Sequence, residues 1–109
     1  MSVRRIAQVI GIKPQDIEEY ERIHANVWPS VLATIKKANI QNYSIFRYEH
    51  FLFAYMEYTG SDYETDMKSI AADPETQRWW KITDPMQSQV PEAISGEWWH
   101  VIPENFHID

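Results

Sequence analysis

Residues 40–60 read IQNYSIFRYEHFLFAYMEYTG, and this stretch restricts the fold more than any other. It is dense in Ile, Tyr and Phe, residues that suit a pleated, half-buried surface. The segment Tyr48-Glu49-His50 interrupts it as a turn, and Gly60, Ser61 and Asp62 close it. The spacing predicts a hairpin of two strands. What flanks the hairpin then decides the architecture.

Upstream, residues 3–12 alternate loosely, with Ile6, Val9, Ile10 and Ile12 giving a β-branched run bounded by Gly11 and Pro14, so a buried first strand is expected. From Pro14 the period becomes helical. Pro14 suits a first turn, Asp16, Glu18 and Glu19 favour the N-terminal dipole, and Ile17, Tyr20 and His24 share one face. Pro29 predicts a break near Val27–Pro29 and a second helical stretch carrying Val31, Leu32 and Ile35, with Lys36 and Lys37 at its end. Downstream, SDYETDMKSIAADP opens with a helix start signal, carries Tyr63, Met67 and Ile70 on one face, and ends at Asp73 and Pro74. ETQRWWKITDP is long enough for a short helix. MQSQVPEAISG reads as a polar connection and EWWHVI as a last aromatic strand. The order β, α, β, β, α, β is the split β-α-β, ferredoxin-like arrangement of the α+β class, an antiparallel sheet with helices on one face. Its other face is left open. Small chains of this design commonly pair their sheets, so a homodimer is expected, with a pocket between sheet and helices.

Composition narrows the function. The 109 residues fit one domain, residues 1–109, without room for a second. Zero cysteines exclude a disulfide framework, thiol chemistry and thiolate zinc sites, and are compatible with a reducing cytoplasm, where we expect the protein. The N-terminal MSVRRIAQVIGI has too short an apolar run for a signal peptide or membrane span. A net charge of −6, with no basic run longer than two, argues against a nucleic-acid surface. Only three glycines, far apart, leave no phosphate-cradling loop, so a nucleotide cofactor is not expected. His100, His107 and Asp109 lack metal-ligand spacing, and no metal is assigned. His50 reads as a solvated turn residue, and Glu18, Glu19 and Glu21 as the solvated face of a helix.

The unusual quantity is aromatic content, five Trp, six Tyr and four Phe. Trp and Tyr offer flat apolar faces with a polar edge, which suits sugar rings and other small polar ligands. Trp79 and Trp80 are adjacent between Arg78 and Lys81, and adjacent helical residues point about 100° apart, so both cannot face one core. One is expected to wall a pocket while the other anchors the helix. Tyr20 and His24, four apart on one helix, can converge on one ligand. A histidine beside a phenol is suited to acid and base work on a sugar hydroxyl or ring oxygen. The competing reading is a helix histidine satisfied by a carboxylate or backbone group.

The motifs EEYERIHANVWPSVL, NYSIF and TQRWWK stand in the order and spacing of the L-rhamnose mutarotase family, and the chain resembles it over nearly its whole length. The resemblance implies a dimeric, cofactor-free ferredoxin-like enzyme that interconverts the α and β anomers of a pyranose, L-rhamnose or, in relatives, L-fucose. It puts the family's proton donor on His24 and its sugar contacts on Tyr20, Tyr43, Trp79 and Trp80. Two other readings remain open: a ferredoxin-like monooxygenase or haem-degrading enzyme, and a non-catalytic sugar-binding module.

Overall fold

The computed structural model describes residues 3–109. In chain order its elements are β1 (Arg4–Ile12), α1 (Ile17–His24), α2 (Pro29–Lys37), β2 (Ile40–Tyr48), β3 (Phe51–Tyr58), α3 (Tyr63–Ala72), α4 (Pro74–Thr83), β4 (Gln87–Ser88) and β5 (His100–Ile102). The hairpin is present. Tyr48 remains in β2, so the turn is only Glu49 and His50, with Glu49 in the left-handed region (φ 53°). The Ile12 N–H donates to the His50 carbonyl at 2.9 Å, tying this turn to β1.

The sheet order is β2-β3-β1-β4, all antiparallel, with β1 central and β3 beside it from Arg4↔Tyr58 to Gly11↔Phe51. The last strand position is shared. β4 pairs Gly11 and Ile12, and β5 pairs Ala7 to Val9 further along the same edge. Two details of the expectation fail here. The stretch around Met86–Gln89 is not wholly a connection, because Gln87 and Ser88 add a short ladder to β1. Nor is EWWHVI a strand throughout, since pairing begins only at His100. The physical reason is a side-chain-held turn just before it: Glu97 accepts the Ile94 N–H at 3.1 Å and Gln89 donates to the Glu97 carbonyl at 2.5 Å.

Helix ends follow their sequences. Asp62 caps α3 by accepting the Thr65 N–H at 3.2 Å, and Asp73 caps α4 by accepting the Thr76 N–H at 2.9 Å. Asp73 and Pro74 therefore end one helix and begin the next, with Pro74 where its missing N–H costs nothing. Pro29 does the same for α2, and Ala25–Trp28 forms the break.

Even-numbered residues of β1 face the helices. Ile6 joins Ile40, Met56 and Tyr58 in one buried cluster covered by Ile35 of α2 and Tyr63, Met67 and Ile70 of α3. Ile10 and Ile12 join Leu52 and Tyr20 in a second, flanked by Ile17, Ile45, Met86 and Trp99. Between the clusters, the row crossing β1, β3 and β2 is Gln8, Ala54 and Ile45.

A bulge in β2 sets what else faces inward. Gln41 pairs with Glu57 but Ser44 with Tyr55, so β2 carries one extra residue, with Asn42 left-handed at φ 47°. Gln41 and Asn42 both donate to Glu57 Oε1, at 2.9 and 2.8 Å, holding the irregularity. Without the extra residue Tyr43 would fall on the open face; with it, Tyr43 aligns with Ile45 on the helix side. The open face presents Phe46, Tyr48, Phe51 and Phe53, all exposed.

Candidate active site

Tyr20 and His24 lie one turn apart on α1 and their rings stack, with centroids 4.0 Å apart and planes inclined by 23°. His24 Nδ1 is 2.7 Å from the Tyr20 backbone carbonyl. A carbonyl only accepts, so Nδ1 carries the proton and donates it, and in the neutral ring Nε2 is left with a free lone pair. Burial pushes the imidazole below its usual value, against a smaller upward pull from the carbonyl bond. At neutral pH the ring is a neutral, oriented base. The two readings of His24 thus apply to different atoms: a backbone group satisfies one nitrogen and leaves the other available.

Tyr20 is 4% exposed and packs on Ile10, Ile12 and Leu52. Its hydroxyl accepts from Gln87 Nε2 at 3.3 Å, and Gln87 Oε1 accepts from Trp98 Nε1 at 2.7 Å. Burial raises the phenol well above its usual pKa, with a smaller lowering from Gln87, so it stays protonated. Among the described residues nothing accepts that proton. Gln87 and Trp98 were missed in the sequence because no local spacing links them to Tyr20; Gln87 reaches Tyr20 across 67 residues of chain and Trp98 reaches Gln87 across 11.

Trp79 meets His24 edge-on at 5.3 Å and Trp28 at 5.2 Å. It is 7% exposed and shares the inward side of α4 with Thr76 and Thr83, whereas Trp80 is 38% exposed. The fold therefore brings Tyr20, His24 and Trp79 together, and leaves Trp80 more exposed than Trp79. Tyr43, turned inward by the bulge, is 40% exposed, and burial pushes its phenol up to about 12. Tyr63 adds a smaller upward push on Tyr43, and Tyr43 adds one on Tyr20.

A cleft of about 270 Å³ opens between α1 and the β2–β3 hairpin, lined by Tyr20, His24, Ile45 and Leu52 among others. Across its rim Arg47 Nε donates to Glu21 Oε2 at 2.6 Å. Among the described residues no three His, Asp or Glu side chains cluster so as to hold a metal. The arrangement offers one oriented base, one phenol with an unaccepted proton, and aromatic walls.

Comparison with known proteins gives the family. The model of the L-rhamnose mutarotase family matches residues 5–108. The chain belongs to that family. It is 31% identical to the L-rhamnose mutarotase of Oceanobacillus iheyensis, covering 98% of this chain and 100% of the relative. It is 33% identical to that of Lactiplantibacillus plantarum, over 96% and 98%. A protein named L-fucose mutarotase, from Xanthomonas campestris pv. campestris, is 33% identical over 91% and 83%. The fold is that of the crystal structure of an L-rhamnose mutarotase from Formosa agariphila, with a TM-score of 0.76 at 19% identity, covering 97% of this chain and 99% of the other. The chain is thus an isomerase-type sugar mutarotase.

Proposed function

We propose that the protein interconverts the α and β anomers of L-rhamnose, with His24 carrying the proton. The observation that supports this reading is the free Nε2 of a neutral, fixed imidazole beside a phenol whose proton has no acceptor.

Anomer exchange needs the anomeric hydroxyl to lose a proton and the ring oxygen to gain one. In this reading Nε2 takes the anomeric proton, the C1–O1 bond becomes a carbonyl and the bond from C1 to the ring oxygen breaks. Both oxygens are attached to the same carbon, so the imidazolium can return the proton to the ring oxygen without moving far. Rotation about C1–C2 exposes the other carbonyl face, and closure reverses the transfers. Proton transfer by one positioned group contributes roughly 10² to 10⁴ in rate. Tyr20 donates its unaccepted proton to a sugar oxygen, Tyr43 binds a second hydroxyl, and Trp79, with the more exposed Trp80, packs on the C–H face of the ring.

A second copy completes the assembly in this reading. Phe46, Tyr48, Phe51 and Phe53 form an apolar area on the open sheet face that pairing two sheets would cover as a homodimer. The absence of cysteine suits a reducing cytoplasm.

Saturation-transfer NMR between anomer signals of L-rhamnose, L-fucose and a set of D-sugars tests reaction and substrate together. Fastest enzyme-dependent exchange is expected with L-rhamnose. Sugar binding without accelerated exchange would make the protein a binding module instead.

A further inference from the structure

The inward row between the two apolar clusters contains one residue that neither cluster explains. Gln8 lies between Ile6 and Ile10 on β1, on the strand side where Ile6, Ile10 and Ile12 are buried against the helices and Arg4, at the strand's start, lies over the Tyr63 ring. Its cross-strand neighbour is Ala54, the smallest side chain in that part of β3, and beyond Ala54 lies Ile45, which lines the cleft holding His24. Gln8 is half-buried, and among the described residues no group hydrogen-bonds its amide.

An amide carries two donors and one acceptor oxygen. Neither polar atom of Gln8 is sealed from solvent, and its amide, which makes no bond among the described residues, stays accessible to a ligand. The fold does not supply the partner: the cross-strand neighbour Ala54 has no polar side-chain atom, and Tyr43 is on the same side of the sheet by virtue of the Asn42 bulge.

We propose that Gln8 is a specificity-determining residue whose amide binds a sugar hydroxyl on the side of the ring away from the anomeric carbon. The inference rests on the mutarotase reading above. Strands are spaced about 4.8 Å apart, so Gln8 stands two spacings, about 10 Å, from Ile45 at the His24 side. An amide that both donates and accepts distinguishes a hydroxyl from a hydrogen, and a site built to pair with a hydroxyl discriminates against the analogue lacking it far more strongly than an apolar wall does.

The test compares wild type, Gln8→Leu and Gln8→Glu by saturation-transfer NMR on L-rhamnose and its singly deoxygenated analogues at the positions not involved in ring opening. In the wild type one analogue should exchange at least tenfold more slowly than L-rhamnose at limiting concentration. Gln8→Leu should lose about tenfold on L-rhamnose and show no further loss on that analogue. Gln8→Glu, which keeps the shape and an acceptor, should fall between the two. Thermal melting separates misfolding from loss of recognition, and Gln8→Leu is expected to melt no lower than wild type because Leu joins the neighbouring clusters. Equal losses on every analogue, or an unaltered Gln8→Leu, would overturn the assignment of Gln8 while leaving the mutarotase reading intact. A wild type that exchanges no sugar would overturn both.

Discussion

Two buried tyrosines, one at each end of the inward face, are equally hidden and differently employed. Tyr58 and Tyr20 are each 4% exposed. The Tyr58 hydroxyl donates to Asp66 in a short hydrogen bond and accepts the Asp62 N–H at 3.0 Å, while Asn39 supports the same carboxylate at 3.0 Å. Gly60 sits against that hydroxyl so closely that a Cβ there would collide with it. Every capacity of Tyr58 is used within the protein. Tyr20 accepts from Gln87 and is left with a proton to give, next to a histidine with a lone pair to offer. Burial therefore does not distinguish the two tyrosines. Hydrogen-bonding capacity left over after folding does, and it is this capacity that the role proposed for Tyr20 and His24 uses.

The largest effect should come from removing the base. His24→Ala should slow enzyme-dependent anomer exchange by roughly 10² to 10⁴, towards the spontaneous rate, with the secondary structure unchanged by circular dichroism. A rate within a few-fold of wild type would remove His24 from the role. The tyrosines give the next and sharpest contrast. Tyr20→Phe keeps the ring and its stacking on His24 but deletes the donor, so kcat/KM should fall about tenfold with little change in Tm. Tyr58→Phe should do the reverse, lowering Tm by a few degrees through the loss of two hydrogen bonds while leaving exchange per folded molecule unaltered. Equal effects of the two changes on exchange would dissolve the distinction between the two ends. The smallest effect is expected at the rim. Arg47 and Glu21 are both substantially exposed, and such pairs contribute little. Arg47→Gln should alter KM by less than about threefold and leave kcat untouched.

The element order was legible because each piece had a local signal. The aromatic hairpin, Pro29 after the break, and Asp62 and Asp73 as caps all act within a few residues. The pairing of Tyr20 with His24 was legible for the same reason, since helical spacing alone stacks them. What sequence could not supply lies in long-range geometry. Whether Trp79 or Trp80 faces inward depends on how α4 is rotated against its neighbours, which turn Thr76, Trp79 and Thr83 inward together. Gln87 reaches Tyr20 only because β4 pairs with Gly11 and Ile12, and that two-residue ladder has no pattern of its own. Tyr43 was named through family resemblance; its inward direction follows from one extra residue at Asn42, which strand periodicity read without the bulge would have reversed.

The central claim is that His24 enters the reaction as a neutral ring with its proton on Nδ1 and a bare Nε2 facing the sugar. Nitrogen-15 NMR of His24, followed across pH with and without L-rhamnose, measures this directly. Because burial favours the neutral form, the folded ring should titrate below its unfolded value of about 6.5. Between the two values the unfolded chain binds a proton that the folded one does not, so this group's contribution to stability is complete above 6.5 and declines as pH falls towards the folded value. The exchange rate should fall over the folded value in the same direction, and L-rhamnose should shift the Nε2 signal more than Nδ1. A neutral ring protonated on Nε2, titration above 6.5, or an Nε2 signal indifferent to the sugar would contradict the account.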